Sequence, residues 1–136
     1  MIQLQRHWSL PTACEASFDA AVPCVTMVWQ GYFTSEQFRA ANQRVLELLR
    51  TTRCPNLLGD VTDFTLIAAD DQLWLNEQWI PNAIDAGLRT CALVQPTYFF
   101  NRVAVDNVTR QVDDRRLAVH YFGDREAARA FLSGRT

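Results

Sequence analysis

A chain of 136 residues, 49% hydrophobic and 21% charged, is one domain in size and buries about two thirds of its unfolded surface. Those values exclude a disordered or low-complexity chain. The net charge is only −2 and the 13 basic residues are scattered arginines, so no basic stripe exists for a phosphate backbone, and nucleic acid is not an expected partner.

No apolar run reaches the length of a bilayer span, and residues 1–8 lack a basic region followed by an apolar block. The chain therefore reads as cytoplasmic, without a membrane span. Cys14, Cys24, Cys54 and Cys91 lie far apart, with no CxxC pair and no His at ligand spacing. They read as reduced, mostly core cysteines, and neither a metal nor a cofactor is expected.

Taken in order, Ile2, Leu4 and Trp8 alternate with polar residues, an extra edge strand ended by Pro11. Cys14, Ala16 and Phe18 alternate next, and a turn at Asp19 to Ala21 leads into a second strand with Val25, Met27 and Trp29 on one face. An antiparallel hairpin opens the fold. Gly31 breaks the strand, and Thr34 with Gln37 forms a capping box for a helix whose apolar face is Phe38, Ala41, Val45, Leu48 and Leu49. Asn42 falls on the polar side.

The stretch from Asn56 to Gln95 then reads as a βαβ unit. A buried strand (Leu57, Leu58, Gly59) ends at Asp60 and Val61, and a loop from Thr62 to Ala69 follows. Asp70 is a fitting N-cap for the next helix, with Asp71 at the positive end of its dipole. At 100° per residue, Leu73, Leu75, Trp79, Ile80, Ala83, Ile84 and Ala86 share a broad apolar face, and Trp74 falls among the polar residues. Pro81 lacks the N–H that would reach the Glu77 carbonyl. It predicts either a kink or two short helices. Gly87 closes this segment, and Cys91 to Val94 form the next strand.

Pro96 begins an aromatic loop of Tyr98, Phe99 and Phe100, and Asn101 is placed to cap a helix carrying Ala104, Val105, Val108 and Val112. In the last strand Leu117, Val119 and Tyr121 face one way, Ala118, His120 and Phe122 the other. Gly123 and Asp124 start a terminal helix that docks through Ala127, Ala128, Phe131 and Leu132. The expected architecture is α/β: a mixed sheet of about five strands, a hairpin first and helix-strand units after it, in a single domain over residues 1–136.

Several short motifs carry a family likeness. They are Trp29 and Gly31 before the helix at Thr34-Ser35, Leu58 and Asp60 at a strand end, and Asp70-Asp71-Gln72 with Trp74 opening a helix. Ala86-Gly87-Leu88-Arg89 and Tyr121-Phe122-Gly123-Asp124 complete the set. With this element order, the chain from about Ala13 to Leu132 resembles the SpoIIAA-like fold of STAS domains, in particular small stand-alone bacterial proteins labelled STAS/SEC14-like. The resemblance implies a partner-binding or regulatory domain without a cofactor. In regulatory relatives a phosphorylatable hydroxyl follows the strand-ending Asp, which implies a switch loop at Asp60, Thr62 and Asp63. Here Asp63 stands where those relatives have Gly, and a phosphate on Thr62 would sit between two carboxylates.

A triad would need Cys91 or Thr62, His120 and Asp60, but Cys91 begins its strand where Asp60 ends its own. A carboxylate at a strand end more often holds backbone N–H groups. No glycine-rich phosphate loop occurs. The expected function is thus non-catalytic: a contact domain acting as a homodimer or on a protein partner, with Trp74, Pro81, Tyr98, Phe99 and Phe100 as interaction site. The alternative is a small apolar ligand or lipid held between the Trp74/Trp79 helix and the Tyr98 to Phe100 loop. An enzyme built on Asp60 and His120 ranks third.

Overall fold

The hairpin forms as its alternation requires. In the computed structural model, which describes residues 11–134, β1 (Ala13–Asp19) and β2 (Cys24–Gly31) are antiparallel, with Phe18 opposite Val25 and Ala16 opposite Met27. The edge strand expected over residues 1–11 lies, except for Pro11, outside the described residues.

From β2 onward every connection is a helical crossover, and parallel strands result. The elements are α1 (Ser35–Thr52), β3 (Asn56–Phe64), α2 (Ala69–Trp74) running through a π-helical segment (Leu75–Trp79) into α3 (Ile80–Asp85), β4 (Thr90–Val94), α4 (Phe99–Thr109), β5 (Ala118–Phe122) and α5 (Arg125–Ser133). The sheet order is β1-β2-β3-β4-β5, antiparallel at the first pair and parallel elsewhere. The α/β mixed sheet of five strands is therefore as the sequence indicates.

The capping box holds α1: the Thr34 hydroxyl accepts from the Gln37 N–H, and the Gln37 side chain accepts from the Thr34 N–H. At the other end of the βαβ unit Gly87 has φ +113°. The Gly87 N–H donates to Ile84 O and the Leu88 N–H to Ala83 O, each at 3.0 Å, the paired bonds of a Schellman stop that favours glycine.

Two cores flank the sheet. The larger lies under α1, the α2–α3 segment and α4, joining Val25, Met27, Trp29, Leu57, Trp79 and Val105. The smaller lies under α5 and joins Cys24, Leu58, Ala92, Val94, Ala128 and Leu132. With a core on each face, β4 is buried along its whole length and β3 from Asn56 to Val61. Among the described residues consecutive strands are neighbours, so their order does not reverse and they form none of the crevices that reversal points give to nucleotide-binding folds.

Candidate functional site

Asp60 does not end its strand. β3 continues to Phe64 through a bulge: Val28 pairs with Asp60 but Gln30 with Asp63, so β3 has two residues where β2 has one. The extra residue restores Phe64 to the core face, three positions after Val61. A bulge also frees backbone groups, and the Asp60 side chain meets that need. Its Oδ1 accepts from the Thr62 N–H at 3.1 Å and from the Thr62 hydroxyl at 2.6 Å, while Oδ2 accepts from Arg125 Nε on α5 at 2.9 Å. What resembles a switch loop is a fastened bulge in a strand, with Thr62 half-buried and Asp63 exposed.

This geometry also separates the triad candidates, though by face more than by edge. Leu57 pairs with Cys91 and Asp60 with Val94. Cys91 points into the larger core and Asp60 toward α5. Burial alone pushes the Cys91 thiol up to about 12, so it carries almost no thiolate near neutrality. His120 is exposed beside Phe131, ring centroids 4.6 Å apart. Among the described residues no three His, Cys, Asp or Glu side chains group as metal ligands.

The Trp-rich segment departs from a single helical wheel. Ile80 N–H donates to Leu75 O, five residues back, which widens the turn just before Pro81. A five-residue turn removes the crowding that the proline ring would cause in an α turn. The extra residue shifts the angular phase between the two halves, so Trp74 and Trp79 both turn inward. Trp74 is 7% exposed, edge-on to Phe38 at 6.2 Å with the Arg39 guanidinium 5.3 Å above its ring, whereas Leu73 is 54% exposed. The position of Trp74 among polar residues on the wheel therefore does not expose it, and α1 covers it. Asp70 is likewise not the cap: the helix begins after Ala68, and buried Asp71 accepts from Ser35 Oγ at 2.9 Å and Arg39 Nε at 3.0 Å. Asn42, placed on the polar side by its wheel position, is buried as well, and its carbonyl accepts from Trp79 Nε1 at 2.7 Å.

The aromatic loop is largely helix. Tyr98 is the N-cap position of α4, and Phe99 and Phe100 lie in its first turn. Asn101 does not cap it. The side chain is fully buried, with Oδ1 accepting from Ile67 N–H at 3.0 Å and Nδ2 donating to Phe64 O at 2.9 Å. With Asn101 fixed inward, its two predecessors are turned out: Phe99 is 69% and Phe100 76% exposed, rings 5.5 Å apart and edge to face. Val103, also exposed, extends the stripe at helical spacing. Trp74, packed on α1 and buried, presents no surface beside this stripe, and Pro81 is half-buried on α3, so the five predicted site residues do not form one surface.

A cavity of about 100 Å³ lies between the sheet and the helical layer, walled by Met27, Trp29, Trp79, Cys91, Val105 and Val108 among others. Trp79 belongs to it, but Trp74 and the Tyr98 to Phe100 stretch do not. Trp29 is stacked on Phe64 at 5.0 Å, and its indole N–H is buried with no hydrogen-bond partner among the described residues. An unsatisfied donor of this kind costs about 1–3 kcal/mol. The sequence places Trp29 on one strand face with Val25 and Met27 and gives no sign of the orphaned N–H.

No family model, curated protein or solved structure matches the chain.

Proposed function

We propose that the protein is a STAS-like, non-catalytic domain that works by contact, and that the aromatic stripe at Phe99, Phe100 and Val103 pairs two copies of the chain. The observation that carries this reading is the exposure of two adjacent phenylalanines on a helix whose next residue, Asn101, is locked into the protein. Aromatic anchors concentrate binding energy, and rigid ones lose little entropy on contact. A two-fold interface uses the same patch twice, so one stripe supplies both sides. A net charge of −2 sets little repulsion against such pairing. The engagement of both Asp60 oxygens and the protonated state of Cys91 favour contact over catalysis.

The test is light scattering across a concentration series on the wild type and on the Phe99→Ser/Phe100→Ser double variant. A wild-type dimer that becomes a folded monomer in the variant supports the reading. A wild type that stays monomeric at the highest attainable concentration overturns it, as does a dimer that the double variant leaves intact.

A further inference from the structure

The cavity between the sheet and the helical layer has a mouth. A surface groove of about 280 Å³ runs between α4 and β5, and it shares Thr109, Val112, Leu117 and Val119 with the cavity wall. Val112 and Val119 are half-buried, so this flank is where the interior meets solvent. Arg110 and Asp106 form an ion pair at 3.0 Å along the same groove. The interior itself is lined almost wholly by carbon, and a buried water needs two to four polar partners, which such a wall does not supply. Trp29, part of that wall, brings one N–H with nothing to receive it.

We propose that this cavity is a binding site for a small uncharged molecule with one hydrogen-bond acceptor, a carbonyl or ether compound, that accepts from the Trp29 indole N–H. Size follows from volume. An apolar cavity of ~150 Å³ takes benzene or xenon, so 100 Å³ suits about four non-hydrogen atoms by the same ratio. Charged molecules are excluded because the wall has no counter-charge. Drug-sized ligands and whole lipids are excluded because their pockets begin at about 300 Å³. This site is independent of the pairing stripe, which contributes no residue to its wall.

Acetone and isobutene have the same shape and four non-hydrogen atoms each, and only acetone has an acceptor. Both are titrated into the ¹⁵N,¹³C-labelled protein, following the indole resonances and the methyl groups of Val105 and Val108. Saturable methyl shifts with both probes are expected. A downfield shift of the Trp29 indole proton is expected with acetone alone, and Trp29→Phe should weaken acetone about fivefold to tenfold relative to isobutene. Val108→Leu, which fills the cavity, should abolish saturation by both. Absence of saturable shifts with either probe overturns the proposal, and so does acetone binding that leaves the Trp29 resonance unmoved. The wild-type titration alone decides the matter should either variant fail to fold.

Discussion

Replacing Asp60 with alanine tests whether a side chain, rather than the ladder, completes β3. The substitution removes three bonds. The Thr62 N–H loses its acceptor at 3.1 Å in a half-buried bulge, a loss of about 1–2 kcal/mol. The Thr62 hydroxyl, bonded at 2.6 Å, can turn to water and contributes little. Arg125 is 54% exposed at its side chain, so its ion pair is screened and adds at most about 0.5 kcal/mol. The expected loss is about 2 kcal/mol, or about 8 °C in Tm for a chain of this length. Urea unfolding followed by circular dichroism measures it. Asp60→Asn keeps an oxygen for the Thr62 N–H and should lose about half as much, while Arg125→Ala should lose no more than about 0.5 kcal/mol. If Arg125→Ala costs as much as Asp60→Ala, the ion pair and not the bulge is what Asp60 serves, and the reasoning fails.

Gly87→Ala should cost about 1–2 kcal/mol through backbone strain alone, because φ is +113° and a Cβ there meets nothing within 4 Å; an unchanged urea midpoint would refute this. Cys91, pushed up to about 12 by burial, should resist iodoacetamide in the native protein at pH 8 and react in urea, with peptide mass spectrometry as the readout. Rapid native labelling would contradict its placement. The hydrogen bond from Arg129 holds the Asp19 carboxyl below its ordinary 3.8, so this tie between α5 and β1 stabilises above that value and is lost as pH falls through the lower folded one. Asp19→Asn should therefore flatten the acid limb of the stability profile below about pH 4, and a limb as steep as the wild type's would count against the tie.

The sequence makes the sheet and α1 legible because each buries one simple face. Val25, Met27 and Trp29 alternate, Phe38 to Leu49 recur every three or four residues, and both patterns hold in the structure. It is less legible where a side chain takes over a backbone obligation. Asp60 followed by Thr62 reads as the capped start of a loop, since a carboxylate two residues before a free N–H is also how turns begin. The sign of a bulge was the three-residue step from Val61 to Phe64, which breaks strand parity. The π segment had its sign too: two tryptophans five residues apart, with proline two residues later. A wheel drawn at constant angle averages that step away and turns Trp74 outward. Asn101 is the hardest case, because an Asn before an apolar helix is ordinarily a cap, and only the position of Phe64 and Ile67 in space reveals that it bridges two segments.

These substitutions of side chain for backbone are connected, and the connection bears on the proposed contact surface. The Thr62 carbonyl, on the bulge that Asp60 fastens, accepts from the Thr97 N–H at 3.1 Å, and Thr97 begins the short approach to α4. Two residues beyond the bulge, the Phe64 carbonyl takes the Asn101 amide. The stripe at Phe99 and Phe100 is thus held from both sides by the end of β3, and β3 is held through Asp60 and Arg125 to α5. Loosening the bulge should free the stripe before it unfolds the protein, because a rigid aromatic pair binds better than a mobile one. Asp60→Ala should accordingly weaken self-association by several-fold under conditions where it remains folded, an effect read from the concentration dependence of light scattering. Gly87→Ala, with a similar expected stability loss but no link to α4, serves as the control. Equal weakening in both variants would reduce the effect to stability, and no weakening in Asp60→Ala would mean that Asn101 alone suffices to mount the stripe.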